Sequence, residues 1–567
     1  MEFSKITQFV LERRGINQEY LEQIEIDAHQ KLAGIDFLCE KLHDIKESHQ
    51  KIVVIPDFDM DGIMSGTVGY VGLTALGFSC DLYRPKTDKY GIFPPDIDNI
   101  LEQFPDTKAI ITCDTGIGCL DASQYAKSLG LSVLITDHHK EEEVSSRQVA
   151  DAVVDPCGIG EAYEHPAICG AFVMWQVIDN YATMYENNET IKEAIRLLRV
   201  FAGIGTVSDV MPVLYENRKL IRDAIEISKE CLLANETFKK KMTGMPNVVV
   251  NSMRGLYTVL SYLKTNNKIA DIEKINEETF GFYIAPMFNS IKRMNSNTGI
   301  AFDIFTGGER TQNLLKLGDL NDQRKQEVKE TFELLQSGKN ELAPFIYICE
   351  ARGGILGLLA MNCMSLSKMP TLVVSQGASG DYHGSGRAPD WFPFFTISQN
   401  IEGLTCKGHE GSFGCEISSD ANLESICNAI AKKVEELKPD DELLEMSHVD
   451  VSLSTQDDLD FEINQDELLR FADDLESIRP FGRGFERPVV MLEFEGANSN
   501  ARTIGSDASH LKMNVNNVDI LCWGQGDKQE ACLESDTVKV IGDVSVNEYR
   551  GMRKAQIVGE LILSNLP

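Results

Sequence analysis

Leu134-Ile135-Thr136-Asp137-His138-His139 places an acid and the chain's one adjacent histidine pair directly after an apolar run. Such a run reads as a strand, which puts the three polar residues at its mouth. Two similar stretches lie upstream. Ile52-Val53-Val54-Ile55 leads into Asp57, Asp59 and Asp61, and Ala109-Ile110-Ile111-Thr112-Cys113 leads into Asp114. Between them lie helix-like segments, Gly66–Leu76 and Ala122–Leu129, and further strand-like runs at Cys80–Tyr83, Ser132–Ile135 and Ala152–Val154. Strands alternating with helices predict a parallel sheet covered on both faces. Ligands of such sheets bind at the carboxyl ends of the strands, where all these acids and histidines fall. Carboxylates and imidazoles gathered on one sheet edge can build a metal site, and they point to hydrolytic chemistry on phosphate.

The individual motifs differ in specificity. Asp57, Asp59 and Asp61 alternate, so on extended backbone they share a face and need a cation among them. Gly62 would then turn the chain into a helix from Ser65. The same Asp-x-Asp-x-Asp-Gly pattern suits an acidic loop or a calcium loop. A calcium loop needs an acid at its twelfth position, counted from Asp57, and Val68 stands there. Asp114 before Gly116, and Asp209 in Gly205-Thr206-Val207-Ser208-Asp209-Val210, each read as a helix cap when taken alone. A histidine pair behind an acid at a strand end suits neutral imidazole ligation, with the acid orienting a ring.

The length of 567 residues exceeds one hydrophobic core and predicts about three or four domains. Residues 1–50 read as helical, 165–340 as mainly helical, and the polar stretch Leu320–Leu335 as a solvated connecting helix. A second α/β region begins with Phe345–Ile348 and Thr371–Val374, carries glycine-rich loops at Gly384–Gly386 and Gly408–Gly414, and has a helix near Leu423–Leu437. Beyond it, Val449–Leu453, Val489–Phe494, Leu511–Val515, Asp519–Cys522 and Val538–Val544 read as strands of a small β-barrel. The 14 cysteines form no CxxC and read as reduced core thiols. With no leader-like start and no apolar run of membrane length, a cytoplasmic protein without a membrane partner is expected. The net charge of −33 argues against nucleic-acid binding by bulk attraction, so a nucleic-acid substrate would need cations concentrated in a channel.

Asp57 to Gly62, Thr112 to Ile117, Asp137-His138-His139 and Gly205 to Val210 together resemble the DHH phosphoesterase superfamily, and within it the RecJ-type single-strand-specific exonucleases. Asn289 to Arg293, Leu320 to Lys325, Gly354 to Gly357, Gly384 to Arg387, Gly408 to Gly411 and Pro480 to Gly484 come next in that family's order. The resemblance implies a parallel-sheet DHH catalytic domain over 51–315 after a helical segment 1–50. A connecting helix 316–341, a DHHA1 substrate-binding α/β domain 342–440 and an OB-like nucleic-acid-binding barrel 441–567 would come after it. It implies two divalent ions, manganese or magnesium. Asp59 and Asp114, with Asp57, would hold one ion, and Asp61, Asp114, His138 and Asp209 the other, so that Asp114 bridges. Asp137 would orient the neighbouring ligand, and His139 would face the scissile phosphate. Two ions so placed activate water and stabilise attacking and leaving oxygens. Ile55 stands where many superfamily members carry a histidine; RecJ-type chains share the Asp57 pattern instead.

By the same resemblance Ser385 and Arg387 would grip the DNA backbone or its terminal 5′ phosphate, His409 would line that cleft, and Arg293 and Lys86 would assist. Glu410 and Phe413 depart from the small residues the family carries after its glycine-histidine pair. Phe481, Arg483, Arg487, Trp523 and Arg550 are candidate contacts in the barrel. The implied activity is 5′-to-3′ hydrolysis of single-stranded DNA to mononucleotides, with a single-strand-binding protein or a helicase as further partner. The alternatives are an oligoribonucleotide or cyclic-dinucleotide phosphodiesterase, a non-catalytic replication scaffold that has lost its ligands, and a pyrophosphatase.

Overall fold

The computed structural model describes residues 3–24, 30–85, 91–337, 341–343, 345–440, 448–455 and 459–563. The chain forms two compact units, 27–438 and 1–26 with 439–567. The N-terminal fifty residues therefore belong to both units. Lys5–Arg13 is a helix of the second unit, where Thr7 Oγ1 donates to Asp474 Oδ2 at 2.6 Å and Arg14 pairs with Asp450 at 2.6 Å. The helix Ile35–Glu47 belongs to the first unit.

The first unit opens with five parallel strands: β1 (Lys51–Pro56), β2 (Cys80–Leu82), β3 (Thr107–Cys113), β4 (Ser132–Thr136) and β5 (Ala152–Val154). Their order is β2-β1-β3-β4-β5, and every pairing is parallel. The chain runs from β1 to β2 on one side and returns to β3 on the other. That reversal leaves a crevice at the carboxyl ends of β1 and β3. One face of the sheet packs Val53, Ile55, Ile110, Val133 and Ile135 against helices, including Pro94–Gln103 and Leu120–Ser128. Against the sheet also lies the helix Met60–Ala75, almost wholly buried and rich in glycine and small residues. Gly66, Gly69 and Gly72 let Pro56, Val54 and Ile178 approach to within van der Waals contact.

This helix begins at Met60, with Asp59 as its N-cap accepting from the Gly62 N–H at 3.0 Å. The expected helix start at Ser65 and the extended acidic face are therefore corrected. Asp57 directly follows a strand, whereas Asp59 and Asp61 belong to a helix start, where carboxylates satisfy free amides. Gly62 serves close approach rather than a turn, since a Cβ there would strike the Asp57 backbone.

Helices fill the region up to Thr306, and Arg310–Gln336 is a single helix of 27 residues, starting earlier than the polar stretch suggests. A six-stranded sheet comes next, ordered β10-β11-β9-β8-β7-β6: β6 (Glu341–Ala343), β7 (Ile346–Ile348), β8 (Thr371–Gln376), β9 (Tyr382–Arg387), β10 (Leu404–His409) and β11 (Ser412–Ile417). Gly384–Gly386, read as a loop, is thus part of a strand, and Gly408–Gly414 is the turn Glu410-Gly411 with the strand ends that flank it. Their glycines sit where neighbours press in, Gly386 beneath the Phe413 ring and Gly384 against the Val373–Val374 backbone.

The second unit carries one sheet of eight strands, ordered β13-β12-β14-β18-β19-β17-β16-β15. They are β12 (Val451–Ser454), β13 (Phe461–Glu462), β14 (Val490–Phe494), β15 (Arg502–Ile504), β16 (His510–Val515), β17 (Val518–Cys522), β18 (Val538–Tyr549) and β19 (Met552–Leu563). The last strand has no clear signature in the sequence, because Met552-Arg553-Lys554 hides its alternation. No helix among the described residues is long and apolar enough to cross a membrane.

Candidate metal centre

The ladder of the five-stranded sheet runs one residue past each central strand. The Asp57 N–H donates to Cys113 O, that of Asp114 to Thr136 O and that of Asp137 to Val154 O, each at 3.1 Å. Three acids are thereby pinned in a row along the edge. Asp114 takes φ +62, a left-handed conformation that costs an L-residue about 1 kcal/mol or more.

Two further elements close the site. Asp61 accepts from the N–H groups of Gly170 at 2.7 Å and Ala171 at 3.2 Å, the first turn of the helix Gly170–Tyr185. Asp209 stands at the carboxyl end of the helix Arg199–Ser208, its N–H bonded to Gly205 O, and not at a helix start whose amides its side chain would cap. The carboxylates and imidazoles fall into overlapping groups, Asp57–Asp59–Asp114, Asp61–His138–Asp209 and Asp114–His138–His139, each with ligand atoms within 4.8 Å of one another. His138 Nε2 lies 3.0 Å from Asp114 Oδ1, 3.7 Å from Asp209 Oδ2 and 3.9 Å from Asp61 Oδ2.

Burial and mutual repulsion act together on these carboxylates. Burial, then the neighbouring acids, pushes the Asp114 carboxyl well above the usual carboxylate range. Burial and Asp59 do the same to Asp57, against the pull of Lys292. Burial also raises Asp61. Burial pulls His138 below the ordinary imidazole value, so its ring is neutral and offers a lone pair near pH 7. Asp114 Oδ1 is buried and has no hydrogen bond, and the 3.0 Å approach of His138 Nε2 lacks hydrogen-bond geometry. Two electron-pair donors facing each other at the junction of two carboxylate sets fit a shared dication.

Asp137 has a different task. It is fully buried. Oδ2 accepts from the Ile117 N–H at 2.8 Å; Oδ1 accepts from the His138 N–H at 2.8 Å and bonds His139 Nδ1 at 2.7 Å. A carboxylate only accepts, so Nδ1 of His139 carries the proton. Burial opposes the charged ring, but the bond to Asp137 together with the charges of Asp137, Asp209 and Asp57 outweighs it and lifts His139 to about 9. Burial raises Asp137 too, yet the bond and charge of His139, the Ile117 amide and His138 together leave it below its usual value. Asp137 thus orients the ring of His139, not that of the ligand-like His138.

Arg293, Ser385, Arg387 and His409 also belong to the first unit. Arg293 ends the helix Ala285–Arg293, whose Asn289 accepts from the Met60 N–H at 2.9 Å, tying that helix to the acidic loop. Ser385 and Arg387 lie on one face of β9, around the bare Cα of Gly357; a Cβ there would sit 3.1 Å from Arg387 Nη2 and 3.5 Å from Ser385 Oγ. Burial, and then the charges of Arg324 and Arg387, lower Arg293 to about 10. None of these three arginines makes an ion pair among the described residues, and Arg387 Nε is buried without a partner. Arg324, on the long helix, lies in the Leu320 to Lys325 stretch that carries the resemblance, although among its polar neighbours it reads as part of a solvated face. His409 and Arg387 both neighbour Ser412 across the β10–β11 and β11–β9 ladders. Lys86 lies outside the described residues.

The two departures at 410 and 413 have structural reasons. Phe413 is 3% exposed, fills the space over Gly386 and stacks on Phe394 at 4.5 Å. Glu410 caps the helix Phe394–Ser398, accepting from the Thr396 N–H at 3.1 Å and its hydroxyl at 2.5 Å.

Residues 51–204 match the family model described as DHH family, N-terminal domain, and residues 459–560 match the RecJ OB domain. The chain carries a DHH-family domain and a RecJ OB domain. It is similar over nearly its whole length to single-stranded-DNA-specific exonucleases RecJ. The Bacillus subtilis protein is 23% identical over 93% of this chain and 63% of its own length, so the chain spans less than two thirds of that relative. The Haemophilus influenzae protein is 24% identical, over 94% of this chain and 91% of its own. The fold matches that of RecJ in complex with Mn2+ from Thermus thermophilus, with a TM-score of 0.72 and 19% identity over all of this chain and 76% of that one.

Proposed function

We propose that this chain is a metal-dependent exonuclease that hydrolyses single-stranded DNA from its 5′ end and releases 5′-mononucleotides. The observation that carries the reading is the buried, unbonded Asp114 Oδ1, set between Asp57–Asp59 on one side and Asp61–His138–Asp209 on the other. The activity of the RecJ relatives and the ion of the Thermus structure support it. Manganese or magnesium bound by these residues would supply hydroxide near neutral pH and Lewis-acid stabilisation of the displaced oxygen.

The chain's own groups do the rest. Asp114 spans both ligand sets. The amides of Gly170 and Ala171 fix Asp61 in its rotamer. His139, charged and aimed by Asp137, offers its Nε2–H to a phosphate oxygen as negative charge builds there. Arg293, Ser385 and Arg387 hold a phosphate of the strand, since paired guanidinium groups without carboxylate partners need an oxyanion. The division of labour runs along the long helix: the sheet 51–154 and its helices cut, the six-stranded sheet holds the strand, and the second unit binds nucleic acid. A single-strand-binding protein or helicase as partner, and a cytoplasmic location, belong to the same proposal.

The non-catalytic reading is disfavoured because Asp57, Asp59, Asp61, Asp114, His138 and Asp209 are all present and clustered. The deciding experiment is manganese-dependent digestion of single-stranded DNA labelled at either end. Mononucleotide release from the 5′ end is expected; equal or faster attack on dinucleotides or duplex would refute the reading.

A further inference from the structure

The helices Asn247–Thr265 and Arg310–Gln336 flank an open cleft of about 600 Å³ on the first unit. Arg254, Tyr257 and Thr258 line it from the first helix, and Glu309, Arg310 and Thr311 from the start of the second. Arg254, Tyr257 and Thr258 are three and four residues apart, so they share one helix face. Nε and Nη2 of Arg310 are buried, and neither has a hydrogen-bond acceptor. Burial, then the charge of Arg254, pulls the Arg310 guanidinium below its ordinary value. Glu309 lines the same cleft, yet neither arginine makes an ion pair among the described residues.

The position of Arg310 adds to the imbalance. It is the first residue of its helix, where the dipole opposes a cation, and no acid stands in that first turn. A buried charged donor without an acceptor is costly. With 87 acids against 54 Lys and Arg in the chain, pairing would be the easy outcome. Two guanidinium groups left open beside one another match the two charges and the terminal oxygens of a phosphate monoester. The cleft is roomier than phosphate alone requires, and Tyr257, 44% exposed, offers its ring to a nucleoside.

We propose that this cleft binds a phosphate monoester, with Arg254 and Arg310 gripping the phosphate and Tyr257 beside any nucleoside it carries. Arg324 stands fourteen residues further along the same helix, about 21 Å away, so this is not the group of Arg293, Arg324 and Arg387. The site goes beyond the nuclease reading and does not depend on it. Inorganic phosphate and a mononucleotide share the required chemistry.

The test is titration of the full chain in EDTA, at constant ionic strength, with inorganic phosphate, thymidine 5′-monophosphate and thymidine, read by melting midpoint and calorimetry. Both phosphates should raise the wild-type midpoint, and thymidine should not. The rise should persist in Arg387→Ala, which disables the strand-holding group, and vanish when Arg310→Met is added. Without ligand, Arg310→Met should melt at or above wild type, because it removes buried N–H groups that nothing accepts; a structural arginine would not behave so. Arg254→Ala, at an exposed position, should weaken phosphate binding about 10- to 100-fold, the range for loss of one hydrogen bond to a charged group. Tyr257→Ala separates the sources: a loss confined to thymidine monophosphate makes a nucleotide the occupant, and no change for either ligand makes it free phosphate. The proposal is overturned if neither phosphate shifts wild type, or if the shift survives Arg310→Met in the Arg387→Ala background. It is overturned equally if unliganded Arg310→Met melts well below wild type while Arg254→Ala binds phosphate as wild type does.

Discussion

Replacing Gly170 with alanine tests whether the metal centre is built as described without removing any candidate ligand. A Cβ at Gly170 would lie 2.5 Å from Asp114 Cβ, 2.6 Å from Asp114 Oδ1 and 2.7 Å from Asp114 Cα. Carbon contacts are comfortable at about 3.5–4.0 Å, so something must yield by about 1 Å. Asp114 resists, being pinned by its N–H to Thr136 O and already left-handed. The helix Gly170–Tyr185 can retreat, but its first amides then leave Asp61. Either route displaces a candidate ligand, Asp114 in the first case and Asp61 in the second. A misplacement of that size costs about 10²-fold in rate. Overpacking should also cost about 1–3 kcal/mol of stability, which chemical denaturation would read. Gly118→Ala is the control, since nothing lies within 4 Å of its Cβ position. The assay is digestion of 5′-labelled single-stranded DNA over a manganese titration. A folded Gly170→Ala variant with near-wild-type rate and unchanged manganese dependence would refute the packing argument and the placement of Asp114 with it.

Asp114→Ala should lose about 10³-fold or more in rate and bind manganese more weakly by calorimetry, since both ligand sets share that carboxylate. Asp137→Asn should lower kcat about 10- to 100-fold with manganese affinity largely kept, because it frees the ring of His139 rather than a ligand. In the metal-free protein, His139 has a raised value of about 9, so the stability it contributes is complete below its ordinary value near 6.5. That contribution is lost as pH climbs through about 9, and Asp137→Asn should abolish the slope in a pH series of urea melts. Arg324→Ala, beside Arg293 and Arg387, should weaken single-strand binding and reduce the salt slope by about 0.7, whereas unchanged affinity would place it outside the strand path.

Strand-end acids are legible because a parallel sheet must deliver the residues after each strand to one edge. The apolar runs before Asp57, Asp114 and Asp137 suffice to place them together. The elements of the second unit are largely legible too, from alternation over Leu511–Val515 and Val538–Val544. Reading the glycines of Gly384–Gly386 as loop residues fails because a glycine's role depends on what presses against it. Phe413 over Gly386 lies 27 residues away, and no local pattern announces it.

Sequence by itself determined the residue types and their order: which strands end in acids, and that the histidine pair comes after one. Tertiary structure decided what each does. Asp137 and His138 are adjacent, yet only the fold turns the first toward His139 and the second toward Asp61, Asp114 and Asp209. Gly170 and Ala171 entered the site through helix packing alone. The physical reason is range. Backbone propensity and strand polarity act over a few residues, while burial, charge and the missing Cβ atoms of Gly170 and Gly205 act across segments far apart in the chain.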